Sequence, residues 1–289
     1  MRFAIAFLWL LHWLPLPILG RMGNGLGSLL FRFLKRRRHI TLTNLRLCFP
    51  DMPESERLSI AEQHFQAYAR SVLERGILWW ASEARLKRLL VIESPLPLDE
   101  LNTVPTVVLC PHFVCLDVAG VAFTLHCRGS SMYVRPKNPA LNEVLRRGRL
   151  RFNPGRLFTR QDGIKPILRA VREGLPYFML PDMDFGRDNA EFIPFFGNQA
   201  ATLTALPRIA AATHARVIPV VATFLPNFRG WKAKFYPVWD NFPGSDITAA
   251  TRRMNAFIEE RILEAPAEYF WTHRRFKTRP EGEPDVYNL

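Results

Sequence analysis

Cysteine is scarce in this chain, and its placement excludes a disulfide-stabilised fold. The 289 residues include four cysteines, which form no CxxC pair and no regular framework. Cysteines of this kind are typical of small buried side chains in a reducing compartment. Cys115 lies three residues after His112, so a thiol nucleophile is one alternative. Its neighbours Val114 and Leu116 favour a packed thiol instead.

Acidic residues are few relative to basic ones. The chain has 26 Asp and Glu against 39 Lys and Arg, which gives a formal net charge of +13. Such an excess indicates an anionic partner: nucleic acid, an anionic membrane surface or a phosphorylated substrate. The 22 Phe and 7 Trp lie largely in apolar runs, apart from the basic residues. This pattern favours lipid over nucleic acid, whose binding proteins present stacking aromatics in a basic groove.

Long apolar runs are absent beyond the N-terminus. The one long run, FAIAFLWLLHWLPLPIL at residues 3–19, is apolar except for His12. As a helix it would extend roughly 25 Å, slightly short of a ~30 Å hydrocarbon core. A signal peptide is the rival interpretation. Against a signal peptide, Arg2 is the single basic residue before the run, and no small-x-small cleavage site is present before the glycines at 20–27.

A basic cluster, Lys35–Arg38, follows residues 29–34, which are apolar except for Arg32. Basic residues beside apolar aromatics are what an interfacial anchor on an anionic leaflet requires, at about 1 kcal/mol per charge. A solvated charge run is the alternative. By the positive-inside tendency, the chain beyond this cluster should be cytoplasmic. We therefore expect an N-terminal membrane anchor with a basic interfacial segment at 1–40 and a second domain at 41–289.

Apolar periodicity beyond residue 50 predicts helices that alternate with strands. The helices are expected at about 55–80, 116–126, 138–151, 164–173 and 247–263, the last with Asp246 as its N-cap. The strands are expected at 106–110, 130–136, 176–180, 216–225 and 231–239. This order predicts an α/β fold with a central, mainly parallel sheet flanked by helices and room for an antiparallel edge. We expect an N-terminal membrane-anchoring helical segment to precede this α/β fold.

Two stretches place polar side chains directly after predicted strands. VVLCPHFVCLDVAG at 107–120 holds His112 and Asp117, and LPDMDFG at 180–186 holds Asp182 and Asp184. Ligands of open α/β sheets gather beyond the carboxyl ends of the strands, so we expect these residues at one edge of the sheet. The alternative is a core histidine, with Asp117 capping a helix or facing solvent.

At this point the sequence resembles a known family. The HxxxxD pattern of His112 and Asp117 is similar to the signature of the lysophospholipid acyltransferase superfamily. Longer blocks resemble, in order and spacing, the bacterial lipid A late acyltransferases: RRRHITLTNLRLCFP (36–50), GRLRFN (148–153), LPDMDFGRDNAEFIPFFG (180–197) and PAEYFWTHRRFKTRPEGEP (266–284). The resemblance covers nearly the whole chain. Many members of the family have Glu where this chain has Asp117.

The resemblance implies an inner-membrane enzyme that faces the cytoplasm. Such an enzyme moves a fatty acyl chain from acyl carrier protein to a hydroxyl on an acyl chain of a Kdo-bearing lipid A precursor. The implied partners are therefore acyl carrier protein, the lipid A precursor and an anionic membrane surface, and not nucleic acid. No metal or other cofactor is implied.

A hydroxyl that attacks a thioester needs a base, and a neutral imidazole suits this role because its pKa lies near the working pH. We expect His112 to be that base, with its ring folded back to Asp117, which would hold the tautomer and stabilise the imidazolium. No Ser or Thr lies within five residues of His112. This absence argues against a serine acyl-enzyme and favours direct transfer.

The tetrahedral intermediate needs positive charge or N–H donors near its oxygen. The resemblance points to Arg149, with Arg151 as the near alternative. An ordinary basic helix face, shared with Arg146 and Arg147, is the rival interpretation. Arg135 is a second candidate, for a phosphate of the acceptor or of the carrier's phosphopantetheine.

The resemblance assigns Asp182 a role in the site and Asp184 a supporting one. The pair also resembles the DxD metal motif of a nucleotide-sugar transferase. The apolar FIPFFG (192–197) that follows favours an acyl-chain pocket over a sugar-nucleotide site. Two rivals remain for the whole chain: an acyltransferase of the same fold that acts on a lysophospholipid or another glycolipid, and a non-catalytic basic protein of the membrane surface.

Overall fold

The computed structural model describes residues 2–188 and 190–288, so Met1 and Leu289, the outer ends of the two predicted divisions, lie outside it. Within these residues the α-helices are α1 (Arg2–Leu11), α2 (Leu16–Phe33), α3 (Lys35–Cys48), α4 (Glu54–Trp80), α5 (Glu83–Leu89), α6 (Leu116–Thr124), α7 (Pro139–Arg149), α8 (Lys165–Arg172), α9 (Ala205–Thr213) and α10 (Ile247–Glu264). The strands are β1 (Leu90–Glu93), β2 (Thr106–Leu109), β3 (Ser130–Met132), β4 (Arg156–Phe158), β5 (Tyr177–Met179), β6 (Ala190–Phe195), β7 (Asn198–Leu203), β8 (Arg216–Phe224) and β9 (Trp231–Phe235).

Seven strands form one sheet, in the order β1-β9-β8-β2-β5-β3-β4. The strands from β8 through β4 pair in parallel. At the other end, β9 runs antiparallel to β8 and pairs in parallel with the edge strand β1. The predicted α/β fold, with a mainly parallel sheet flanked by helices and an antiparallel edge, is confirmed.

The central strand β2 shows why helices cover both faces of this sheet. All four of its residues are buried, and successive side chains of a strand point to opposite faces. Val107 and Leu109 belong to a core shared with α3, α8, α9 and α10. Val108 and Cys110 belong to a second core, shared with α1, α2, α5 and α6. A strand buried on both faces is therefore largely apolar, as Val107, Val108 and Leu109 are after the buried Thr106.

The helices predicted beyond residue 50 are present within a few residues of the expected bounds. The carboxylate of Asp246 accepts a hydrogen bond from the backbone N–H of Ala249 at 3.0 Å and caps α10, as predicted. The short strands β1 and β4, helices α5 and α9 and the hairpin β6–β7 were not predicted. Each strand of three or four residues carries too few side chains for a period to show.

The hairpin corrects the expectation for FIPFFG. Residues 192–195 lie in β6, and the chain turns at Phe196 and Gly197, both with positive φ (48° and 76°). Such backbone angles suit the tight turn between two antiparallel strands. Ile193 and Phe195 are buried, and Phe195 belongs to the core that contains Val107 and Leu109. This segment contributes to the core, and none of its residues lines the cavity beside His112 described below.

Helix α2 packs against α4 through a face of small residues. A Cβ atom at Gly23 would lie 2.7 Å from the Cα of Arg70, and one at Gly27 would lie 2.5 Å from the backbone nitrogen of Gln66. The two helices can approach this closely only because these positions lack side chains. The N-terminal helices therefore share a core with the rest of the chain. Within the described residues, no helix combines the length and apolar character needed to cross a bilayer.

This packing predicts opposite effects for two neighbouring glycines of α2. Gly27→Ala should lower the free energy of unfolding by about 1–3 kcal/mol, because the added methyl group overpacks the α4 contact. Gly25→Ala is the matched control, since a Cβ there would meet no atom within 4 Å. Alanine is the better helix former by about 1 kcal/mol, so this variant should unfold at the same or a higher temperature. Thermal unfolding of both variants checks the packing, and equal midpoints would contradict it.

Candidate active site

His112 and Asp182 meet at the carboxyl edge of two adjacent parallel strands. Strand β2 ends at Leu109, and Pro111 breaks it before His112. Asp182 follows the neighbouring strand β5. Its carboxylate accepts one hydrogen bond from the backbone N–H of His112 at 2.9 Å and another from ring Nδ1 at 2.7 Å. The expectation that these two stretches share one edge of the sheet is therefore correct.

The partner of the imidazole differs from the prediction. The sequence predicts that the His112 ring folds back to Asp117, whereas its Nδ1 bonds Asp182. Asp117 instead forms ion pairs with Arg75 at 2.7 Å and with Arg149 at 3.9 Å. The reason is that the Asp117 carboxylate, in the first turn of α6, reaches toward Arg75 on α4 and Arg149 on α7, whereas the ring of His112 is directed to Asp182 after β5.

The hydrogen bonds of Asp182 determine the tautomer of His112. Burial alone would raise the pKa of Asp182, but the adjacent ring and the N–H donors of His112 hold this pKa below its ordinary value. Asp182 is therefore an anion that can only accept hydrogen bonds. The proton of the neutral ring must lie on Nδ1, and Nε2 carries the lone pair of a base.

Arg75 is a site residue that the sequence analysis missed. It lies on α4, beside the ring of Trp79 at 5.7 Å, and pairs with Asp117. Burial acts to raise the pKa of Asp117, but Arg75 and Arg149 together hold it below its ordinary value. The site thus contains an ionised Asp117 between two guanidinium groups. No local pattern around Arg75 distinguishes it from the other basic residues of a long helix.

The C-terminal segment holds the loop of His112 in place. The backbone N–H of Val114 donates to the carbonyl oxygen of Glu268 at 2.8 Å, and that of Phe270 donates to the carbonyl oxygen of His112 at 2.9 Å. Between them, Phe113 and Tyr269 form an isolated β-bridge. These contacts give a structural role to the block PAEYFWTHRRFKTRPEGEP, which the sequence analysis noted without one.

A cavity of about 850 Å³ opens beside His112 and Asp117. Its walls are mostly apolar, which suits a hydrocarbon ligand. Three exposed apolar side chains lie at its rim: Val134, Ile164 and Phe185. Deeper lining residues include Leu116, Gly120, Val121, Phe123, Phe178, Met179 and Leu180.

The arginines of the α7 region have different surroundings. Arg149 and Arg135 both line the cavity. Arg151, the near alternative to Arg149, instead donates to the backbone carbonyls of Leu78 at 3.2 Å and Ala81, at the end of α4. It therefore stabilises a helix terminus.

The other two arginines of this stretch lie on the solvent-facing side of α7. Arg146 and Arg147 are exposed and pair with Glu143. Of the four basic residues in RRGRLR, only Arg149 has its charge in the cavity, next to Asp117. The interpretation of this stretch as a uniform basic face is therefore wrong for Arg149.

Asp184 stabilises the C-terminal segment. Its carboxylate accepts hydrogen bonds from the backbone N–H of Thr278 at 2.6 Å and the hydroxyl of Thr278 at 2.8 Å. Its backbone N–H donates to Nε2 of His273 at 3.0 Å. Asp182 and Asp184 thus bond different protein donors, an arrangement unlike a shared DxD metal site. In the described part of the chain, no group of three or more His, Cys, Asp or Glu is placed to hold a metal ion.

Cys115 is poorly suited to act as a nucleophile. Its side chain is 2% exposed, and burial raises the pKa of its thiol well above the ordinary value. The reactive form of cysteine is the thiolate, which this environment disfavours. The thiol alternative therefore loses its support, and Cys115 is a core residue just before α6.

Comparison with known proteins identifies the family of this chain. Residues 2–278 match the family described as bacterial lipid A biosynthesis acyltransferase. The protein belongs to this family. It is therefore an acyltransferase.

Individual relatives agree over nearly their full lengths. The lipid A biosynthesis lauroyltransferase of Escherichia coli K12 is 34% identical over 98% of this chain and 93% of its own. The palmitoleoyltransferase of the same organism is 32% identical over 99% and 93%. Among solved structures, the 1-acyl-sn-glycerophosphate acyltransferase PlsC of Thermotoga maritima matches with a TM-score of 0.39 and 14% identity, over 83% of this chain and 96% of that one.

The geometry predicts distinct effects for the two aspartates of the DMD segment. Asp182→Asn should lower the turnover number of acyl transfer by about 10²–10⁴-fold, because the amide neither stabilises an imidazolium nor fixes the Nδ1–H tautomer. Asp184→Asn should instead lower the unfolding temperature, because it weakens the bonds to Thr278. Steady-state kinetics and thermal unfolding of both variants measure the difference. Near wild-type turnover in Asp182→Asn would contradict the assignment of Asp182 as the partner of His112.

Proposed function

We propose that this acyltransferase moves a fatty acyl chain from acyl carrier protein to a hydroxyl on an acyl chain of a lipid A precursor. The family membership supports the lipid A precursor as acceptor, and the resemblance of the sequence blocks suggests the donor. The mechanism rests on one observation. His112 lines an apolar cavity, and its ring Nδ1 is hydrogen-bonded to the carboxylate of Asp182.

The proposed transfer is direct. Nε2 of His112 takes the proton from the acceptor hydroxyl as its oxygen attacks the thioester carbonyl carbon. The resulting tetrahedral intermediate collapses to the ester and expels the thiolate of phosphopantetheine, which receives the proton from the imidazolium. Asp182 stabilises the imidazolium between these two steps. The burial of Cys115 supports a path with no acyl-enzyme.

Charge on the intermediate requires a compensating cation, and Arg149 is the proposed one. Its guanidinium lines the cavity and is held by Asp117, which is in turn held by Arg75. Asp117 thus has a different role from that expected of it: it positions a cation instead of orienting the base. Arg135, on the exposed rim of the cavity, is proposed to bind a phosphate of the acceptor or of the donor.

Transfer assays with purified protein test this function. We expect radiolabelled acyl groups to pass from acyl carrier protein to a Kdo-bearing lipid A precursor, and His112→Ala to lower the rate by about 10²–10⁴-fold. Arg149→Ala should lower turnover by about 10²–10³-fold. Arg147→Ala is its matched control, because this neighbour is exposed and paired with Glu143, and it should leave turnover unchanged.

The acceptor is decided in the same assay. Lysophosphatidic acid in place of the lipid A precursor tests the alternative of an acyltransferase that acts on a lysophospholipid. Preferential transfer to lysophosphatidic acid would overturn the proposed acceptor. The absence of transfer to either lipid would indicate an acceptor of another class, and equal losses in Arg149→Ala and Arg147→Ala would remove the specific role of Arg149.

The proposal includes the cytoplasmic face of the inner membrane as the site of action. Helix α2 supports it, because the face opposite α4 presents a stripe of exposed apolar side chains at helical spacing: Ile18, Met22, Leu26, Leu29 and Phe33. Helix α1 adds the exposed Phe3 and Phe7, and the exposed Trp13 follows it. Basic residues continue from the end of the stripe, where Lys35 and Arg36 are exposed. An amphipathic helix of this kind lies in a membrane interface and does not need to span the bilayer.

Vesicle binding tests the stripe. The double variant Leu26→Glu/Leu29→Glu should lose co-sedimentation with phosphatidylglycerol vesicles, because two carboxylates would enter the apolar interface. Leu263→Glu is the control, since this leucine of α10 is 63% exposed away from the stripe, and it should still bind. Retained binding of the double variant would show that membrane contact lies elsewhere.

A further inference from the structure

Gly120 lies in the interior of α6, on the face of the helix that lines the cavity. Asp117, Val121 and Thr124 share that face, as residues three or four positions apart do on a helix. Glycine is a poor choice for a helix interior compared with alanine. A physical reason is therefore needed for its presence here.

A positive φ of 70° supplies that reason at the cavity residue Gly163, and packing supplies it at the other three cavity glycines. A Cβ at Gly148 would lie 2.5 Å from the ring of Trp79, and one at Gly129 would overlap the ring of Phe123. A Cβ at Gly155 would overlap the carbonyl oxygen of Gly129. At Gly120, by contrast, an added Cβ would meet no heavy atom within 4 Å. A larger side chain at position 120 would therefore project into the cavity.

The open space beside Gly120 can be located relative to the residues of the candidate site. Three residues of helix separate it from Asp117, a rise of about 4.5 Å. Next to it the wall is formed by the apolar side chains of Val121, Phe123 and Phe178. A hydrocarbon chain that extends from the reacting carbonyl along α6 passes over Gly120.

We propose that Gly120 determines the length of the donor acyl chain that the cavity accepts. This inference rests on the proposed function, because it requires an acyl donor at this site. Two relatives with different acyl groups in their names, a lauroyltransferase and a palmitoleoyltransferase, are 34% and 32% identical to this chain. Overall similarity therefore does not distinguish chain length.

A series of larger side chains at this position tests the inference. Gly120→Ala and Gly120→Leu would be assayed with saturated acyl donors from octanoyl to palmitoyl and one acceptor. The optimum should move to shorter chains, further for leucine than for alanine. Each methylene that can no longer be buried should cost about four-fold in kcat/KM, while the shortest donor keeps its rate. Gly120→Ala should unfold at the same or a higher temperature, because alanine stabilises a helix.

Val134→Phe is the control, because it adds bulk at the rim, where Val134 lines the same cavity and is 84% exposed. It should leave the preferred length unchanged. An unchanged length profile in Gly120→Leu, or an equal fall with every donor, would overturn the inference, the second result indicating contact with the acceptor. A wild-type protein that transfers no acyl chain from any donor would instead overturn the proposed function.

Discussion

The hydrogen bonds between Asp182 and His112 are the constraint on which the site depends. One carboxylate oxygen binds the backbone N–H and the other binds ring Nδ1, so both the loop and the imidazole are fixed by one buried anion. This arrangement is possible because β2 and β5 are parallel neighbours, whose chains leave the sheet at the same edge. The proposed base is therefore held in place before any substrate binds, and its Nδ1–H tautomer needs no rearrangement.

A second set of charges connects the helices around the cavity. Asp117 on α6 lies between Arg75 on α4 and Arg149 on α7. Removing Asp117 would leave two guanidinium groups without their shared anion in partly buried positions, which is costlier than losing a surface ion pair. Removing either arginine would leave the other paired with Asp117. The triad therefore fixes the wall of the cavity as well as the direction of the Arg149 guanidinium.

The sequence predicted the position of His112 and Asp182 because it depends on strand order and on the polar residues that follow each strand. It predicted the wrong partner for His112, since a spacing of five residues does not specify which way a side chain points from the first turn of a helix. Arg75 was beyond prediction because its role arises only when α4 packs beside α6. The apolar segment FIPFFG was expected to contact a lipid, whereas it contributes to the core. Both environments favour the same apolar residue types, so the sequence could not distinguish them.

Helix α4 packs against the N-terminal helices α1 and α2, and it also contains Arg75, a charged residue of the site. A Cβ at Gly76 would lie 2.5 Å from the carbonyl oxygen of Leu8 in α1, and Gly76 is the residue next to Arg75. The contact between Gln66 and Gly27 of α2 lies on the same continuous helix, about 13 Å from Arg75 along its axis. A single uninterrupted helix therefore connects the contacts of α1 and α2 with Arg75, the partner of Asp117, and no loop lies between them.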